Sequence, residues 1–374
     1  MDLAGAPADA DRYYRAAAVL SSGRATKQLP NDAIVALQHA ERDDVWPPEL
    51  VAALRSWVDA QNEAVQLGDR AAALPFVGFA PGSSYPYLVA DLVNLLRAFG
   101  YRAIVRAVSG DADGAADSLY AEIRMNRPLD GSFGAARMAA DLRIVFAHVR
   151  LPIAALARLA SALAELDRDD ALKRELVKMR AYFIDAQRHA RDDALMRPWR
   201  THVMNRTLAS YADMIRVSGE PWPSRMDAIV DTEYAPPFSS RDRVRAFMRS
   251  VIEAEAERLA LVRAARIVVA VELYEREHAE RLPPSVGDLV PAYLPAAPID
   301  PFSGRPLRLV GDRRAYTVYS VGRNRRDDGG RDIGQSFGGD TAWPRQSAGT
   351  DVGIRINPRQ SSNEISSRQG HAEH

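Results

Sequence analysis

Apolar residues recur at helical spacing through most of residues 1–235. The clearest run lies near the middle of this region, where the apolar positions follow each other every three or four residues: Leu88, Leu92, Leu95, Leu96 and Phe99. This spacing places them on one face of an amphipathic helix. Similar runs, separated by Pro, Gly and Asp, predict further helices near 133–147, 150–166, 169–195 and 200–217.

Two of the predicted helices, at 88–106 and 113–125, are joined by a short turn rich in Gly and Asp. The pair resembles a helical hairpin of the tetratricopeptide kind, in which small residues at the turn allow close helix packing. The chain shows no regular 34-residue repetition of this unit, so the pattern does not indicate a regular solenoid. We therefore expect an irregular helical bundle or array.

The pattern changes after the stretch GEPWPSRMDAIVDTEYAPPFSS, whose Pro and Gly residues interrupt the helices. A long helix is predicted over 240–280. The segments PLRLV and YTVYSV then alternate as two strands of a β-hairpin around the turn GDRR. We predict a mainly α protein with a helical domain at 1–235 and a small α+β module, a long helix plus β-hairpin, at 236–343. Residues 344–374 are poor in apolar side chains and predict a disordered tail.

Composition narrows the function classes. The 374 residues carry 49 Lys and Arg against 49 Asp and Glu, so the net charge is zero. Nucleic-acid binding is not expected, because it draws its affinity from a basic surface. The absence of cysteine excludes disulfides, thiolate nucleophiles and Cys-ligated metals. The first residues lack the features of a signal peptide, and no apolar run is long enough to predict a transmembrane helix.

The order of segments near the C-terminus carries a resemblance. A long helix is followed by ERLPPSVGDLVPAYLP, PIDPFSGRPLRL, YTVYSVG and RDDGGRDIG. This series resembles the C-terminal part of type II secretion pseudopilins and related type IV pilin-like proteins, over about 100 residues. Asp300-Pro301, Gly304, Tyr316 and Gly322 fall at matching places. The resemblance implies a periplasmic or other extracytoplasmic location. The family's leader and apolar first helix have no counterpart here, so filament assembly is not expected.

In the major pseudopilins the acidic loop after the hairpin binds calcium, and the resemblance implies four candidate ligands here. Asp332 fits the family's terminal Asp, Asp327 and Asp328 lie in the variable middle, and Asn324 stands where many members have Asp. Calcium binds such carboxylate and amide oxygens. The loop also carries four arginines. Two hypotheses therefore remain open: a calcium site, or a loop cross-linked by Arg–Asp pairs without metal.

Other candidate sites carry less specific signals. Glu275 and His278 have the i, i+3 spacing of di-iron helices, but no second such motif accompanies them. A second possible ligand group comprises His189, Asp192, Asp193 and His202. No nucleophile or phosphate-loop motif is present. We therefore expect a non-enzymatic, extracytoplasmic scaffold that binds a protein partner. The alternative is a hydrolase with its site in the helical domain.

Overall fold

The computed structural model describes residues 8–24, 29, 31–76, 85–128, 132–188, 197–228, 241–312, 315–330, 333 and 351–357. These residues are mainly helical and include one small antiparallel sheet, so the predicted fold class is confirmed. The helices are α1 Ala8–Arg24, α2 Asn31–Asp43, α3 Pro48–Asp59, α4 Asn62–Ala73, α5 Tyr85–Val108, α6 Ala112–Met125, α7 Ser132–His148, α8 Ile153–Leu166, α9 Ala171–Arg188, α10 Arg197–Val217, α11 Ser224–Asp227 and α12 Arg241–Glu277. The strands are β1 Arg308–Gly311, β2 Tyr316–Ser320 and β3 Val352–Ile356, and a 3-10 helix spans Val286–Leu289.

Helices α3 to α8 are arranged in two parallel rows. In one row α5 packs between α3 and α7, and in the other α6 packs between α4 and α8. Helices α5 and α6 also pack along each other and correspond to the predicted hairpin. Helix α6 begins after Asp111, whose carboxylate accepts a hydrogen bond from the Gly114 amide at 2.9 Å, as an N-cap residue does. The result is a layered array to which α1 adds by packing on α4 and α5.

The long helix α12 connects the array to the sheet. It spans 37 residues and packs against α7 and α8 on one side and against β2 and β3 on the other. A single apolar cluster accordingly runs from Ala103 on α5 through α12 to Ile356 on β3. The predicted boundary near residue 235 therefore does not separate two hydrophobic cores. Among the described helices, none is both long and apolar enough to span a membrane.

The sheet contains one strand more than the predicted hairpin. Strands β1 and β2 pair as predicted, with Gly311 opposite Tyr316. Strand β3 then pairs antiparallel with β2, with Val352 opposite Ser320. It comes from residues 344–374, so the prediction of a wholly disordered tail is wrong at this segment. The physical reason is burial, since β3 packs against both α7 and α12 and Ile354 is 1% exposed.

Candidate functional site

The loop that follows β2 contains the predicted calcium ligands. Asp327 accepts hydrogen bonds from the Tyr319 hydroxyl at 2.9 Å and the Gly329 amide at 3.0 Å, and it pairs with Arg308 at 2.8 Å. The pKa of Asp327 is lowered, because these donors outweigh the opposing effect of burial. Its carboxylate is thus already bound by groups of the protein. Asp332 lies outside the described residues.

The structure brings Asn324 and Asp328 together, because the Asn324 amide donates to the Asp328 carboxylate at 2.9 Å. Arginines of the same loop reach other elements: Arg323 pairs with Glu253 of α12 at 3.2 Å, and Arg325 with Asp227 of α11 at 2.9 Å. These contacts favour the hypothesis of a loop cross-linked by ion pairs. Calcium binding stays a prediction.

A residue of the predicted tail also holds this loop. Asp351, immediately before β3, is fully buried and accepts hydrogen bonds from the Gly330 amide at 2.7 Å and the Asp328 amide at 3.4 Å. Burial raises the pKa of Asp351, although both amides oppose this. The sequence analysis missed this contact. Its only signal was the alternation of apolar residues in VGIRI, directly after the Asp.

Of the other candidate ligands, those that the structure describes do not form a site. Glu275 is buried, whereas His278 is exposed and stacks on the Tyr274 ring at 3.8 Å between centroids. His202 is exposed on α10, and its predicted companions at 189–193 lie outside the described residues. Within the described part of the chain, no three His, Asp or Glu side chains are grouped so that they could hold a metal ion.

The most unusual group of charges lies inside the helical array, on α7. Arg137 and Asp141 are one helical turn apart and form a buried ion pair, with Arg137 Nε 2.7 Å from Asp141 Oδ2. Arg137 Nη1 also lies 2.8 Å from Glu41 Oε1 on α2. Gly100 of α5 makes room for this pair, because a Cβ at that position would lie 2.0 Å from Asp141 Oδ2. A charged group is therefore closely packed in the interior, where such groups require partners.

Glu122 of α6 adds a third carboxyl group to this cluster. Its side chain is fully buried, and no donor among the described residues reaches either carboxyl oxygen. Burial raises the pKa of Glu122 well above its ordinary value, and the neighbouring Asp141 acts in the same direction while Arg137 opposes it. Burial and the neighbouring Asp141 carboxyl therefore both favour the neutral form of Glu122.

The sequence analysis missed this cluster of Glu41, Glu122, Arg137 and Asp141, which we call the buried charge cluster. A signal was present. The charges on α7 stand in GAARMAADLRIVFAHV, where apolar residues occupy every face of the helix. A helix that is apolar all round is buried on all sides, and its charged residues are buried with it.

Helix α2 covers the array on the side of Glu41. Its buried residues Ala33, Leu37 and Ala40 belong to one apolar cluster with residues from α3, α5 and α7, among them Leu54, Ile104 and Ile144. We call this surface of α3, α5 and α7 the α2 groove. Burying one leucine and two alanine methyl groups contributes roughly 3–5 kcal/mol. The apolar contribution of α2 is therefore modest.

The last turn of α2 adds polar contacts to this docking. Burial raises the pKa of the Glu41 carboxyl, and its partner Arg137 opposes the rise. Arg143 of α7 donates a hydrogen bond to the backbone carbonyl of Glu41. Burial lowers the pKa of Arg143, which is opposed by the nearby Asp44. The buried guanidinium groups of Arg137 and Arg143 thus bind the Glu41 carboxylate and the last turn of α2.

No protein-family model, no curated protein and no solved structure matches the chain.

Proposed function

We propose that this protein is a non-enzymatic scaffold that binds a protein partner outside the cytoplasm. The observation that carries the proposal is the layered array of α3 to α8, on which an amphipathic helix, α2, packs against α3 and shares one apolar cluster with α3, α5 and α7. Stacked helix pairs commonly present an extended face to protein or peptide ligands. An amphipathic helix lying in an apolar groove is also a recurring mode of peptide recognition.

The C-terminal module acts in this proposal as a cap on the array. Its helix α12 and strand β3 pack on α7 and α8, the last pair of the two rows. Terminal units that close the core are a general requirement of stacked helical architectures. The order of long helix, Asp300-Pro301 turn and hairpin supports the pseudopilin-like reading, and with it an extracytoplasmic location and an association with a secretion or cell-envelope system.

Site-specific photo-crosslinking in the native cells tests the scaffold. One crosslinker replaces Val45, which is 47% exposed between the end of α2 and the start of α3, and the matched control replaces Ile153, which is 58% exposed at the start of α8. We expect a protein adduct of discrete mass from position 45 and none from position 153. The adduct should occur in the extracytoplasmic fraction. No adduct at either position would contradict the scaffold, and an adduct at position 153 alone would contradict the proposed face.

A hydrolase remains the second candidate, and one observation favours it. Glu122 and Asp141 are two neighbouring, fully buried carboxyl groups, and paired carboxyls supply the acid and base of many hydrolases. Under this alternative, a panel of ester, peptide and glycoside substrates would show hydrolysis that Asp141→Asn abolishes. Under the scaffold proposal, the wild-type protein and this variant are both inactive.

A further inference from the structure

We propose that the α2 groove is the binding site for an acidic amphipathic helix of the partner, and that α2 is its intramolecular competitor. This inference rests on the proposed scaffold function and specifies its partner. In the resting protein α2 occupies the site. A partner helix of the same pattern would displace it and take over its contacts.

The apolar part of the site specifies a short pattern. Helix α2 buries positions i, i+4 and i+7 as a small, a large and a small residue, Ala33, Leu37 and Ala40. Between them Val35, Gln38 and His39 are exposed, whereas Ile34 and Ala36 are half-buried. A ligand that uses this groove therefore needs small residues on both sides of one leucine-sized anchor.

The charged part of the site specifies an acidic residue directly after the second small one. There the Glu41 carboxylate meets Arg137, at 2.8 Å. If α2 left the groove without a replacement, Arg137 would keep Asp141 but lose this second carboxylate. A buried guanidinium strongly favours a carboxylate over a neutral or basic group at such a position.

Arg143 fixes the direction of the bound helix. It donates to the backbone carbonyl of Glu41, which stands in the last turn of α2. The last carbonyl groups of a helix lack partners within the helix and carry its negative dipole end, so an arginine binds them well. The partner helix is therefore expected to end at Arg143, with its acidic residue beside Arg137.

Helix α2 is the element of the array best suited to exchange. It buries three side chains, whereas α7 is buried at every position from Ala135 to Ala147. A competing helix with a carboxylate at the position of Glu41 would form the same pair with Arg137, so this pair does not prevent the exchange. Local opening in proteins selects elements with few buried contacts. When α2 opens, its contacts with the α2 groove, Arg137 and Arg143 become available to a competing helix.

Peptide binding to the full chain tests the exchange. The probe is a labelled peptide of residues 31–43, stapled between positions 35 and 39 on its exposed side so that it is helical when free. The chain variant Leu37→Asp places a charge in the apolar groove and should release α2. Val35→Asp, on the exposed side of the same helix, is the matched control. Circular dichroism and thermal melting establish that both variants are folded.

We expect the peptide to bind the Leu37→Asp chain roughly 100-fold more tightly than the wild-type or Val35→Asp chain, since a tethered competitor acts at a high effective concentration. A peptide with Gln at the position of Glu41 should bind roughly tenfold more weakly. Failure of the peptide to bind the folded Leu37→Asp chain would overturn the inference. Equal affinity of the Glu and Gln peptides would overturn it as well, because the negative charge of the partner would then not contribute to binding.

Hydrogen exchange of the wild-type chain gives an independent result, should Leu37→Asp not fold. The amides of α2 should exchange faster than those of α5 and α7, because α2 opens without global unfolding. Exchange of all three helices at one common rate would overturn the inference. The photo-crosslinking result separates this inference from the scaffold proposal: a partner adduct at Val45 together with no peptide binding leaves the scaffold standing and removes the exchange of α2.

Discussion

Replacing Glu122 by Gln tests the physical account of the buried charge cluster. Glu122 is fully buried beside Asp141, and burial holds its pKa well above the ordinary value of 4.5. Gln has nearly the same shape as Glu122 and is neutral, as a protonated Glu122 is. Where Glu122 is protonated in both the folded and the unfolded chain, wild type and Glu122→Gln should therefore differ in stability by no more than about 1 kcal/mol.

The difference between the two proteins grows with pH. Above pH 4.5 the unfolded chain loses the Glu122 proton while the folded chain keeps it. The stability contributed by this group is thus fully present below pH 4.5 and is lost as the pH rises towards the folded pKa. Over that window the loss is about 1.4 kcal/mol per pH unit. Gln carries no titrating proton, so the variant lacks this loss and becomes the more stable protein.

Urea unfolding, followed by tryptophan fluorescence at several values between about pH 4.5 and 7.5, measures this difference. Buried Glu41, Glu257 and Asp351 also have raised pKa values, but they are common to both proteins and cancel in the comparison. Glu49→Gln, at an exposed position of α3, is the control and should leave the wild-type pH profile unchanged. A stability difference between wild type and Glu122→Gln that is constant across this range would refute the reasoning.

Three further predictions follow from the packing. Gly100→Ala should destabilise the protein by roughly 2–3 kcal/mol in urea unfolding, because the new methyl group would lie 2.0 Å from the Asp141 carboxylate. In the control Gly287→Ala the nearest atom lies at 3.3 Å, so the loss of stability should be far smaller. Removal of residues 351–374 should lower stability by roughly 5–8 kcal/mol, since β3 buries three large aliphatic side chains; an unchanged melting temperature would contradict this. Millimolar calcium should leave the melting temperature unchanged, because protein groups already bind the carboxylates of Asp327 and Asp328. A rise in melting temperature that Asp332→Ala abolishes would instead establish the calcium site.

The helices that carry the array could be predicted because their signal is local. The stripe from Leu92 to Phe99 predicted α5, and all four of its leucine and phenylalanine side chains in that range are fully buried. The long helix predicted at 240–280 is α12, Arg241–Glu277. The two alternating segments around GDRR became β1 and β2. In each case the side-chain periodicity matches the backbone period, which depends only on neighbouring residues.

The tail could not be predicted from its own residues. Strand β3 is five residues long and is surrounded by polar sequence, so its composition resembles that of disordered segments. An isolated strand of this length gains no stability from the extended conformation. It is stable here because β2 supplies backbone partners and because α7 and α12 bury Val352 and Ile354. Both contributions come from residues far away in the sequence.

The sequence by itself determined the mainly helical class, the positions of the main helices and the hairpin, because hydrophobic periodicity and turn residues act over a few positions. Only the tertiary structure decided which charges meet. The apolar sequence around Arg137 and Asp141 indicates a buried helix but not the partners of its charges, and packing against α2, α5 and α6 brought them together with Glu41 and Glu122. The reason is that the energy of a charge depends on how much water surrounds it, and distant parts of the chain set that quantity.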